Sequence, residues 1–62
     1  MTIDIQGFKA YETFEDALVV ARRRSGIMRD NFAVLRRLSD DKYIVASRVH
    51  EGTIISLWVI WE

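Results

Sequence analysis

At 62 residues the chain has room for one domain, near the size at which a single hydrophobic core gives only marginal stability. It contains no cysteine, which removes disulfides and the usual thiolate zinc sites, and its hydrophobic content of 50% is enough to offset the ordering of the backbone, which excludes a disordered chain. Nine basic residues balance nine acidic ones; a formal net charge of zero leaves little repulsion between copies and no general attraction to polyanions.

The opening Met1-Thr2-Ile3-Asp4 has no basic region followed by an apolar core, so it does not read as a signal peptide. Residues 2–6 alternate polar and apolar side chains, which predicts a strand with Ile3 and Ile5 on one side. Gly7 interrupts the pattern, and Phe8 restarts it or plugs the end of the core.

A helix is predicted over residues 13–25. The Thr13 hydroxyl is placed to accept an amide hydrogen from the first turn, and Glu15 and Asp16 sit where the helix dipole favours acids. At about 100° per residue, Phe14, Ala17, Leu18, Ala21 and Ser25 form one stripe, narrow enough at its alanines for close approach to a sheet. Val19 and Val20 fall outside or at the edge of it. Gly26 is the expected stop, which places Arg22, Arg23 and Arg24 in the last turn beside the negative end of the dipole.

Three strands are predicted over residues 32–38, 42–50 and 53–61, joined at Asp40-Asp41 and at Glu51-Gly52. Two tight hairpins would set Leu38 opposite Tyr43, Arg36 opposite Val45 and Val49 opposite Ile54. Phe32, Val34, Tyr43, Val45, Ile54, Trp58 and Ile60 then share one face, and Leu35, Ile44, Ile55, Leu57, Val59 and Trp61 share the other. The expected fold is α+β: a small antiparallel three- to four-stranded sheet, in the order β-α-β-β-β, as a single domain spanning residues 1–62 with one helix packed on one face. The amino-terminal strand would join at an edge or pair with another copy.

Both predicted faces are apolar, and one helix covers only one of them. The surplus predicts a protein interface formed by Leu35, Arg37, Ile44, Arg48, Ile55, Leu57, Val59 and Trp61, with neighbouring Arg37 and Arg48 as its orienting charges. A competing reading starts from the bias of seven arginines over two lysines: Arg22, Arg23, Arg24, Arg29 and Arg36 as a nucleic-acid-binding set. Successive helical arginines fan out by about 100°, so they form no single phosphate-tracking stripe.

Material for catalysis is thin. His50 is the sole histidine, and a strand would place it and Glu51 on opposite sides; no phosphate loop, redox motif or spaced oxygen-ligand set occurs. The expectation is a non-enzymatic module without cofactor or metal, in the cytoplasm and not in a membrane. It would form a homodimer through its sheet or bind a larger protein, which it would regulate or inhibit.

Overall fold

The computed structural model describes residues 9–61, in which α1 (Phe14–Met28) is followed by β1 (Phe32–Arg37), β2 (Tyr43–Ala46) and β3 (Thr53–Val59). The expectations for residues 2–8 lie outside the described residues.

Helix α1 begins as its sequence dictates. Thr13 is extended, and its hydroxyl accepts the Asp16 N–H at 3.2 Å, while Glu15 and Asp16 occupy the first turn. Ala17, Ala21 and Ser25, spaced four apart, are buried; Phe14 and Leu18 pack beside them. Val20 joins this packing and Val19 stays exposed.

The far end differs from expectation. Gly26 lies inside the helix, which runs on to Met28, and Arg29 takes the left-handed conformation (φ 53°, ψ 50°) with its N–H donating to the Ser25 carbonyl. Glycine permits a left-handed stop without imposing one. Here the stop falls where Asp30 and Asn31 begin a turn, the Asp30 carboxylate accepting the Asn31 N–H at 2.8 Å. Arg22, Arg23 and Arg24 therefore precede the last turn, which carries no basic residue.

The sheet is antiparallel in the order β2-β1-β3, not the sequential meander expected. Phe32, Ala33, Val34 and Leu35 of β1 are all buried, and the centre of a sheet is the place for a strand that is apolar on both sides. Strand β2 ends at Ala46 and leaves Ser47, Arg48 and Val49 exposed, so residues 49 and 50 do not pair with residues 54 and 53. Because β2 and β3 are each antiparallel to β1, they are parallel to one another. Residues 47–52 carry the chain past β1 without regular structure, ending at Gly52 (φ 80°), whose carbonyl accepts the Leu38 N–H.

Between β1 and β2 the register is two residues from the one expected: Val34 opposes Val45 and Arg36 opposes Tyr43. The turn is longer than two residues. Residues 38–41 form the loop, closed by Arg37 N–H to Lys42 O and Asp41 N–H to Arg37 O, both at 2.8 Å, with Asp41 at φ 58°. An even shift preserves side-chain parity. Phe32, Val34, Tyr43 and Val45 accordingly face the helix as read from the sequence, while Ala33, Leu35, Ile44 and Ala46 face away.

Strand β3 carries an irregularity. Val34 opposes Leu57 and Leu35 opposes Ile55, which leaves Ser56 as an extra residue, a β-bulge. Beyond it the alternation reverses: Leu57 and Val59 share the helix side with Val34 and Phe32, whereas Trp58 shares the opposite side with Ala33. Trp58 was expected in the helix-covered core and Leu57 and Val59 on the other face; one inserted residue exchanges them. Ile54 keeps its expected side but, with Ile60, is too exposed to count as core.

The helix-side core is built from Ala17, Ala21, Phe32, Val34 and Val45, with Tyr11, Tyr43 and Val59 among the partly buried residues around it. A second buried cluster, Ala33, Leu35, Ile44 and Ala46, lies on the opposite face. Tyr11 pairs with Tyr43 along the outer edge of β2 through reciprocal N–H to carbonyl bonds of 2.7 and 2.9 Å, and Phe14 meets the Tyr43 ring edge-on at 5.9 Å.

Candidate interaction surface along β3

From Thr53 to Trp61 the sequence contains neither a charge nor a proline. Strand β3 stands at the edge of the sheet, with β1 on its inner side and no pairing on its outer side among the described residues. Ile54, Ile55, Leu57, Trp58, Ile60 and Trp61 are each between 40% and 58% exposed. The bulge distributes them: Ile54 and Leu57 flank the helix side, and Ile55 and Trp58 the other. Beyond the strand, the Trp61 N–H donates to the Asn31 side-chain oxygen at 2.9 Å, which ties the end of this apolar run back to the turn before β1.

The expected interface residues are divided by this arrangement. Ile55, Leu57 and Trp61 lie on the exposed surface of β3 and its extension, and Val59 is half-buried against the helix-side core. Leu35 and Ile44 have no accessible surface at all, so neither offers contact area to a partner in this conformation. Ile54, Trp58 and Ile60 belong to the exposed set but were expected in the core. The signal for them was Ser56, a small polar residue in an otherwise apolar run, which is where the strand bulges.

Arg37 and Arg48 are not neighbours. Arg37 ends β1 opposite Thr53, whereas Arg48 lies beyond β2, near Phe32 and Ala46 at the other end of the sheet. Arg37 is instead committed to its own loop: its Nε donates to Asp40 Oδ1 at 2.9 Å and its terminal nitrogen to Oδ2. The two-pronged bond from Arg37, helped by the Lys42 backbone N–H at 3.2 Å, holds the Asp40 carboxyl down at about 2. The same hydrogen bond raises the Arg37 guanidinium above its ordinary value.

The arginine set proposed for nucleic acid does not converge. Arg22, Arg23 and Arg29 are exposed along and beyond the helix, while Arg36 lies at the far end of β1, 3.6 Å from Asp41. Arg24 is half-buried and, with Met28, Asp30, Phe32, Val45 and Arg48, lines a cleft of about 440 Å³ between the end of α1 and the end of β2. Asp30 and the negative end of the helix dipole offset the cations there, which weakens the cleft as an anion site.

No group of three or more His, Cys, Asp or Glu among the described residues is placed to hold a metal ion. Among those residues no helix is long and apolar enough to cross a membrane. No family model, curated protein or solved structure matches the chain.

Proposed function

We propose that the chain is a small non-catalytic interaction module that associates with its own copies through the sheet, and that regulates or inhibits a larger protein in that form. The observation that carries this reading is the exposed, uncharged β3, whose large apolar side chains project on both sides of a sheet edge. Contiguous exposed apolar surface is characteristic of interfaces, and two tryptophans in one such segment suit a binding hot spot. Zero net charge lets copies approach without repulsion. Nucleic-acid binding has less support, because Arg36 stands apart from the helical arginines and is already beside Asp41.

Sedimentation at micromolar concentration is expected to give a mass above the 7.3 kDa of one chain, and Leu57→Asp is expected to return it to that value. A dimer held by apolar contact persists or tightens in high salt, whereas binding to DNA or RNA weakens steeply. A native protein that sediments as a monomer throughout the micromolar range, in low and high salt, would rule the reading out.

A further inference from the structure

We infer that the outer edge of β3 is completed by β3 of a second copy, antiparallel and related by a two-fold axis, so that the three-stranded sheets formed by the described residues of the two copies become one continuous sheet. This rests on the self-association proposed above and specifies its geometry. An edge strand presents a row of N–H and carbonyl groups that another strand can pair. Proteins that avoid such pairing shorten the edge, charge it with lysine, place a proline in it or cover it. Strand β3 has seven residues, no charge and no proline, and its outer side is unpaired among the described residues. A bulge also turns an edge away from pairing, and that at Ser56 is the one edge-protecting device among the described residues. At the other edge of the sheet, β2 is already paired by Tyr11.

The distribution of side chains favours edge pairing over the stacking of one face. A stacked interface would use either Ile54 and Leu57 or Ile55 and Trp58; an antiparallel edge pair brings both rows beside their symmetry mates. Across a two-fold axis the residue at the axis meets its own copy and the others meet one another reciprocally, so an edge carrying Ile, Leu and Trp and no charge brings apolar side chains together throughout. Because β3 is uncharged, a second copy satisfies both its backbone and its side chains with no further component.

The absence of cysteine in the native chain makes a direct test available. Single variants Ile54→Cys, Ile55→Cys, Ser56→Cys, Leu57→Cys and Trp58→Cys would be oxidised in turn, with Val19→Cys, on the exposed side of α1, as control. Only a residue facing its own copy near the axis brings two β-carbons within disulfide reach. The expected result is a covalent dimer from one or two adjacent β3 positions and none from Val19→Cys. In parallel, hydrogen exchange of the unmodified protein is expected to show β3 amides protected at high concentration and released on dilution. A dimer by mass in which no β3 cysteine crosslinks and β3 exchange is independent of concentration would overturn the edge geometry while leaving self-association intact. A monomer by mass overturns both.

Discussion

Gly26 is the residue whose role differs most plainly from its sequence signature. It is helical and exposed, and a methyl group added there meets nothing within 4 Å. Gly26→Ala should therefore raise stability by about 1 kcal/mol, a difference visible as a higher Tm in a thermal melt. Gly52, at φ 80°, is the opposite case. There an L side chain incurs a penalty of about 1–2 kcal/mol, so Gly52→Ala should lower the Tm. Asp40 gives the residue-scale prediction for pH. Its folded value of about 2 lies below the ordinary 3.8, so its contribution to stability is complete above the higher value and is lost as the pH falls through 3.8 towards 2. Asp40→Asn removes that contribution at every pH. The Tm difference between native protein and variant should thus be present at about pH 5 and shrink at about pH 2; an unchanged difference would show that the Arg37 bond does not act through the carboxylate charge.

At the scale of elements, the helix shows how closely α1 approaches the sheet. Ala21 has no accessible surface and packs in the cluster with Phe32, Val34 and Val45, so Ala21→Leu should force the helix outward and destabilise the protein by about 1–3 kcal/mol in denaturant titration. This much was legible in the sequence, because a stripe of small residues at spacing four and a threonine before acidic residues are local signals. The faces of β1 and β2 were legible too, since an error of two residues in register leaves parity unchanged. Strand order was not. Hydrophobic patterning states which side chains seek burial, but not which strands pair, and Ile44, Val45 and Ala46 of β2 are as buried as the apolar residues of β1. Nor was the exchange of Leu57 and Trp58 legible, because one extra residue at Ser56 reverses every side chain beyond it. The set of exposed apolar residues consequently differs from the one expected: Leu35 and Ile44 are interior, and Ile54 and Trp58 are exposed.

For the whole molecule, size and surface bear on the same question. A chain of 62 residues has limited capacity for a core, and this one leaves its uncharged strand β3 half exposed. Joining two β3 edges would extend both buried clusters: Leu57 would be covered on the helix side, beside Val34, and Trp58 on the opposite side, beside Ala33. Association would then be part of the stability of each copy, and stability would depend on concentration. For a dimer that unfolds to separated chains, a tenfold rise in concentration adds about 1.4 kcal/mol per dimer, so the Tm should climb steadily across a dilution series. Trp58→Lys places a charge in the proposed seam while leaving the half-exposed site tolerable in a monomer; its Tm should be lower than native at high concentration and independent of dilution. The salt response separates this cause from surface electrostatics. Screening weakens contacts between exposed charges, whereas apolar burial is maintained or strengthened in sulfate, so the native Tm should rise with added sulfate at every concentration. The Trp58→Lys protein should share that rise in sulfate and lack the rise with concentration, since its core is retained and its edge is closed to a partner.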